Sequence, residues 1–219
     1  MRRSVRAVLE VTLVFLGVIG ACKILDSFRG VGWIARHDVV AIGAACLFLY
    51  VPLALLQISR REPRDYGITL RGSGASLRTA LAVSAVVLPA FLLLYVLCRK
   101  FCFHAPARIV LPAGWSLLLI YHLVGVALPE EVFYRGYMQS RLNTALPGRV
   151  RLLAASVGVG WLYTALLFAL GHFLIAHRLE RLATFFPGLL FGWLRERTGS
   201  IVAPTLVHGL CNFTVLLVA

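Results

Sequence analysis

The 219-residue chain is 60% hydrophobic and only 14% charged, and its mean hydropathy is +0.86. A water-soluble domain carries about a quarter of its residues as charged side chains, so this composition excludes a soluble globular protein and predicts an integral membrane protein. The net charge of +13 comes from short Lys and Arg clusters between apolar runs, a pattern typical of membrane orientation signals and not of a nucleic-acid-binding face.

Seven apolar segments follow one another along the chain. A helix needs about 20 apolar residues to cross a bilayer. By that measure the predicted spans lie near 7–25, 38–58, 77–98, 113–140, 152–176, 182–194 and 200–218. The sixth is short for a bilayer, so we expect it to tilt or to be partly re-entrant. The predicted fold is therefore an all-α polytopic transmembrane helix bundle of about seven spans, with a conical polar cavity among its C-terminal helices.

The basic residues between the spans predict the orientation of the chain. With the N-terminus inside, thirteen Lys and Arg residues fall on the N-terminal side of the membrane and eight, including Arg36 in the first outer loop, fall on the opposite side. Loops rich in Lys and Arg stay on the cytoplasmic side. We therefore expect a cytoplasmic N-terminus, and the style of the chain suggests a bacterial inner (plasma) membrane.

Two carboxylates and a guanidinium lie close together in the fourth predicted span. Ionisable side chains inside a bilayer cost roughly 2.5 to 3.5 kcal/mol each on insertion scales, so those that are kept there are candidates for function. Glu131 and Arg135 are four residues apart, on one helical face, and are expected to pair. Glu130 points about 100° away from Glu131, which leaves it unpaired. Because Pro129 removes a backbone donor, we expect a kink or an opened turn just before Glu130.

The fifth and seventh predicted spans each carry a histidine in an i to i+4 pair. Phe168 can pack beneath His172 and hold its ring in place. His208 and Asn212 share a helix face and can direct two neutral hydrogen-bond donors toward one point. Each pair alone is common in helix packing. Together with Glu130, however, they place a carboxylate, an imidazole and an imidazole–amide pair on three separate helices.

Two features bear on how these helices meet. Gly171 and Gly209, each next to a histidine, would allow a neighbouring helix or a substrate backbone to approach closely. With straight spans, His172 would lie nearer the outer face than Glu130. The fifth helix must therefore start deep, tilt or break if the two side chains are to meet.

In these motifs the chain resembles the CAAX prenyl protease and bacteriocin-processing family, the glutamic-type intramembrane peptidases. The family pattern is Glu-Glu-x-x-x-Arg, then Phe-x-x-x-His, then His-x-x-x-Asn or Asp on successive core helices. All three motifs occur here in that order: Glu130-Glu131 with Arg135, Phe168 with His172, and His208 with Asn212. The resemblance covers residues 121–214.

The resemblance implies an intramembrane endopeptidase that cuts a membrane-associated protein or peptide, near its C-terminus in some relatives. The catalytic residues that it implies are Glu130, His172, His208 and Asn212, with Glu131, Arg135 and Phe168 in support. The first glutamate would be the general base for a water shared with the first histidine, while the second histidine and the asparagine donate to the oxyanion.

On this interpretation the partners of the chain are its substrate and the lipid bilayer, and no cofactor or metal is needed. We expect one transmembrane domain, 1–219, with accessory helices in 1–112 and the catalytic core in 113–219.

Other interpretations stay open. Glu130, His172 and His208 are the ligand types of a two-histidine, one-carboxylate zinc site, so a zinc-dependent intramembrane protease is an alternative, although the chain has no His-Glu-x-x-His sequence. A non-catalytic immunity or scaffold protein would use the same cluster to bind a peptide, and the Glu131–Arg135 pair would then only tie helices together. A transporter is disfavoured because the chain has no internal repeat.

Overall fold

A computed structural model describes residues 2–32 and 38–218 of the chain, so Arg36, assigned above to the first outer loop, lies outside the described residues. Among the described residues, seven helices follow one another in the predicted order. They are α1 (Arg2–Ser27), α2 (Val39–Ile58), α3 (Ser73–Cys102), α4 (Trp115–Ala145), α5 (Val159–Ala176), α6 (Phe185–Thr198) and α7 (Val202–Leu216). The predicted all-α polytopic bundle is confirmed.

The helices differ in how far they reach across a membrane. In the described part of the chain, α1 to α5 are long and apolar enough to span a bilayer. Helices α6 and α7 have 14 and 15 residues, fewer than the roughly 20 that a perpendicular span needs. The sixth span was expected to be short. The seventh is shorter than the predicted 200–218 because Val218 leaves the helix and pairs with Ile109 in an isolated antiparallel bridge.

A β-hairpin takes the place of the start of the fifth predicted span. Strands β1 (Arg149–Leu152) and β2 (Ala155–Gly158) are antiparallel, and helix α5 begins only at Val159 rather than near residue 152. The hairpin is held against α6, where Trp193 donates to the Leu152 carbonyl at 3.0 Å and Glu196 pairs with the guanidinium of β1. Besides the isolated bridge between Ile109 and Val218, this hairpin is the only β structure among the described residues.

The late start of α5 brings its polar residues to the depth of those on α4. Fifteen residues separate Glu130 from Ala145 at the end of α4, and thirteen separate Val159 at the start of α5 from His172. At 1.5 Å per residue, both side chains lie about 20 Å from the hairpin end of the bundle. Of the three arrangements expected to align them, the structure shows a deep start, and the hairpin supplies the connection.

Helix α4 is the centre of the bundle and has an irregular backbone. It packs against α1, α2, α5 and α7, and every residue from 131 to 140 is buried. Widened π-helical turns cover Tyr121–Ala127 and Val132–Gln139, on either side of the short α-helical segment Leu128–Glu131. The opened turn expected before Glu130 is therefore present. Pro129 cannot donate a backbone hydrogen bond to the preceding turn, and a π turn relieves the resulting crowding.

Helix α7 approaches α4 closely at Gly209. A methyl group added there would lie 2.5 Å from Leu123 Cδ2 and 3.0 Å from Leu123 Cα. The second of these atoms belongs to the backbone, so it cannot move aside by changing rotamer. The prediction that this glycine allows close helix approach is confirmed. Gly171 on α5 is similar, because an added methyl group would lie 2.7 Å from the Tyr134 hydroxyl.

The Gly209→Ala variant is expected to lower the free energy of unfolding by about 1 to 3 kcal/mol, because an extra methyl group in a packed interface forces backbone shifts. Thermal unfolding in detergent measures the change. Gly20→Ala on α1 is the matched control, since nothing lies within 4 Å of its added methyl group, and it should be neutral or slightly stabilising. Equal midpoints for the two variants would contradict the close contact.

Candidate active site

The two neighbouring glutamates of α4 have different surroundings. Glu131 is fully buried, and its Oε1 accepts a hydrogen bond from Arg135 Nη1 at 2.9 Å, so the predicted pair is confirmed. The Glu130 side chain is 15% exposed, and its Oε2 is buried with no hydrogen-bond partner in the described part of the chain. The structure thus contains one neutralised carboxylate and, next to it, one unpaired carboxylate, as their positions around the helix predict.

Arg135 joins three helices. Its guanidinium is fully buried, donates from Nη2 to the Gly188 carbonyl of α6 at 3.1 Å, and lies 4.3 Å from the ring centroid of Phe168 on α5. The sequence left open whether the pair with Glu131 serves packing or chemistry. These contacts show that it holds helices together, whatever else it does.

The imidazole of His208 lies between the two carboxylates. Its Nδ1 is 2.9 Å from Glu131 Oε1, and its Nε2 is 3.9 Å from Glu130 Oε2. The same Glu131 oxygen accepts from Arg135, and a carboxylate oxygen that already accepts one hydrogen bond is expected to accept here too; we therefore assign the Nδ1 proton of His208 to this bond. The second distance is too long for a direct hydrogen bond. The ring is stacked on Phe191 at a centroid distance of 4.7 Å.

The imidazole of His172 is held by its own helix. Its Nδ1 lies 2.9 Å from the Phe168 carbonyl one turn earlier, and a carbonyl oxygen can only accept. Neutral His172 therefore carries its proton on Nδ1 and has an accepting lone pair on Nε2. The Phe168 ring lies 4.4 Å from the imidazole centroid, so the predicted packing of this aromatic side chain against His172 is confirmed.

Phe168 is the common neighbour of the site. Its ring centroid is 5.0 Å from that of Tyr134 and 5.8 Å from that of His208, in addition to its contacts with Arg135 and His172. Side chains from α4, α5 and α7 therefore surround one buried ring. The sequence predicted contact with His172 alone.

Asn212 lies one turn after His208 on α7 and is half-buried. No side-chain hydrogen bond to Asn212 is present among the described residues. The i to i+4 spacing puts its amide on the same helix face as the imidazole. The amide is therefore not committed to holding the bundle together, unlike the side chains of Glu131 and Arg135.

Two features of the site were missed by the sequence reasoning. Tyr134 is fully buried, with its hydroxyl against Gly171, and it lies one turn after Glu130 on the same helix. Its i to i+4 spacing was a signal that could have identified it. The bond between Glu131 and His208 had no such signal, because 77 residues separate the two.

The described residues contain no group of three or more His, Cys, Asp or Glu side chains arranged to hold a metal ion. Glu130, His172 and His208, the set considered for zinc, are thus not arranged as a ligand shell.

Comparison with known proteins finds a family match for the C-terminal part of the chain. No curated protein and no solved structure matches the chain significantly. Residues 112–214 match the family described as type II CAAX prenyl endopeptidase Rce1-like, a match that contains α4 to α7 almost completely and every residue of the three motifs. This match covers 103 of the 219 residues and supports the resemblance that the three motifs indicate.

Proposed function

We propose that this protein is a glutamic-type intramembrane endopeptidase, which hydrolyses a peptide bond with a water activated by Glu130 and His172. At family level it is a CAAX-type intramembrane protease. The observation that carries the finer proposal is the Glu130 carboxylate, whose Oε2 is buried without a partner beside the imidazole of His208. A carboxylate oxygen that is buried without a partner destabilises the fold, so its presence calls for a functional reason.

The proposed base and its helper have complementary hydrogen-bonding groups. An ionised Glu130 can accept a proton from water, and the His172 Nε2 lone pair can accept a hydrogen bond from the same water. The water oxygen then attacks the carbonyl carbon of the substrate while Glu130 takes the proton. When the C–N bond breaks, that proton passes from Glu130 to the leaving amine, and the carboxylate is restored.

The oxyanion would be stabilised by His208 and Asn212. If His208 Nδ1–H is used by Glu131, neutral His208 has only a lone pair at Nε2 and cannot donate to an oxyanion. His208 can therefore donate to the oxyanion only from Nε2, and only when both of its ring nitrogens carry a proton, rather than as the neutral donor that the sequence suggested. The Asn212 amide, with no other bond among the described residues, supplies a second donor.

The substrate class follows from the family and the setting. We propose a membrane-anchored protein or peptide, cut near its C-terminus, that enters a conical polar cavity formed by the core helices in 113–219. Residues 1–112 would then be accessory helices. The basic ends of α1, α2 and α4 cluster together, which supports a cytoplasmic N-terminus, and the membrane that we propose is a bacterial inner membrane.

The function is tested by reconstituting the protein in liposomes and adding two peptides, a farnesylated peptide ending in a CAAX sequence and its unlipidated form. Release of the C-terminal fragment, followed by mass spectrometry, is expected with the wild type and not with His172→Ala. In parallel, membrane proteins of cells that carry either form are compared for uncleaved C-termini. A folded wild type that cuts neither peptide and leaves every C-terminus unchanged would favour a non-catalytic scaffold.

The zinc alternative is tested with the same assay. Exhaustive chelation followed by desalting should leave the rate unchanged, since the proposed mechanism uses no metal. Loss of activity that is restored by added Zn²⁺ would instead support a zinc-dependent protease.

The Asn212→Ala variant is expected to lower kcat by roughly 10²- to 10³-fold, the usual effect of removing one oxyanion donor. KM should change little, because the donor acts on charge that develops in the transition state. Phe213→Leu, one residue further and about 100° round α7, is the matched control and should keep near-normal kcat. A rise in KM with unchanged kcat would place Asn212 in substrate binding instead.

A further inference from the structure

A second polar cluster lies away from the candidate active site, where α1 begins and α2 and α4 end. It lines a cavity of about 600 Å³. Its charged and aromatic side chains are Arg3, Arg6, Glu10, Arg61, Tyr137 and Arg141. We call this group the basic cavity. It lies at the end of the bundle that the charge count predicts to be cytoplasmic.

Glu10 is fully occupied by its neighbours. Arg141 donates to both of its carboxylate oxygens, from Nη2 at 2.8 Å and from Nε at 3.1 Å. The Tyr137 hydroxyl donates to Oε1 at 3.0 Å, and Arg61 Nη1 lies 3.5 Å from the same oxygen. The single acid of the cavity therefore holds two arginines in position and pairs with neither Arg3 nor Arg6.

The cavity has an excess of positive charge. Four arginines face one glutamate, which leaves a net charge of +3. Arg3 and Arg6 are exposed and have no acidic partner among the described residues. Like charges that share a cavity beside low-dielectric protein and lipid repel one another, and a bound anion removes this repulsion. Guanidinium groups match the oxygens of a phosphate with paired hydrogen bonds.

The surroundings favour an anion that carries a lipid chain. Leu55 and Ala145 contribute apolar surface to the cavity wall. Next to it, α1 presents Val5, Leu9 and Leu13 outward, each more than half exposed and spaced along one helix face. A phosphate bound among the arginines would therefore have acyl chains directly beside an apolar stripe. Basic pockets between helices at the cytoplasmic side commonly take anionic head groups.

We propose that the basic cavity binds the phosphate of an anionic phospholipid head group. The bound phosphate bridges α1, α2 and α4, neutralises Arg3 and Arg6, and stabilises the packing of the first two helices on the helix that carries Glu130. This proposal does not depend on the proposed peptidase activity, because the cavity is formed by residues outside the candidate active site. It is tested by measuring protein stability and lipid retention, not cleavage.

The test uses the purified full chain in a neutral detergent. Phosphatidylglycerol, phosphatidylcholine and inorganic phosphate are titrated separately, with the unfolding midpoint and lipid retention in native mass spectrometry as readouts. Phosphatidylglycerol is expected to raise the midpoint saturably and to remain bound, at concentrations at least tenfold below those needed for the other two. Arg3→Gln with Arg6→Gln should weaken this response at least tenfold. Arg71→Gln with Arg78→Gln, two exposed arginines that do not line the cavity, should not.

Three results would overturn the proposal. Equal weakening by the two double variants would indicate general surface charge. An equal response to inorganic phosphate would assign the site to a free anion. An equal response to phosphatidylcholine would show that the bound lipid does not need a net negative charge. This comparison uses only the wild type, so it can be made even if the Arg3 and Arg6 double variant fails to fold.

Discussion

Glu130→Gln is expected to abolish peptide cleavage in proteoliposomes while leaving the protein folded. Glutamine has the shape of glutamate but cannot accept a proton from water, so the proposed general base is lost. The stability of the variant should equal or exceed that of the wild type. Among the described residues Oε2 of Glu130 has no hydrogen-bond partner, so the substitution breaks no bond there and removes an unpaired, partly buried charge.

Two measurements make this prediction specific. The cleavage rate of each peptide is measured for Glu130→Gln, His172→Ala and Glu62→Gln. The last is the matched control: it makes the same substitution at an exposed glutamate and should keep wild-type activity. The unfolding midpoint is recorded for each. Loss of activity at an unchanged or higher midpoint is the expected signature of Glu130, because residues kept for function often reduce stability. Near-normal turnover by Glu130→Gln would remove this residue from the chemistry.

The parts of the site that could be predicted are those set by helix periodicity. Glu131 with Arg135 and Phe168 with His172 are one turn apart, and both pairs meet as expected. The separation of Glu130 from its neighbour follows from the same geometry. These contacts require only that each segment be helical, which the apolar runs already indicate.

Contacts between distant segments could not be derived in this way. His208 lies 77 residues from Glu131, and no local rule brings them together. The consequence is chemical as well as structural, because this bond changes the form in which the imidazole can donate. A family motif shows which residues occur together but not which atom of one contacts which atom of the other.

The hairpin before α5 was missed because its turn lacks the usual residues. Two-residue hairpin turns with positive φ at both positions are normally made by Asn, Asp and Gly. Here Leu153 and Ala154 adopt φ of 45° and 63°, and the strands read as part of an apolar run. The hairpin is instead stabilised by contacts with Trp193 and Glu196 of α6, which are distant in the sequence. Without this hairpin, α5 would begin earlier and His172 would be displaced from the depth of Glu130.

Arg135→Met is expected to lower the free energy of unfolding by about 3 to 5 kcal/mol, because it leaves the Glu131 charge buried without its guanidinium partner. Unfolding in mixed micelles measures the loss. Arg29→Met is the matched control: it breaks an exposed pair with Asp26 and should change stability by no more than about 1 kcal/mol. The double variant Glu131→Gln with Arg135→Met should recover most of the lost stability. It removes the buried carboxylate charge as well as the guanidinium, and the glutamine oxygen can still accept a hydrogen bond from His208. Equal losses in the double and single variants would instead assign the effect to the contacts of Arg135 with Phe168 and the Gly188 carbonyl.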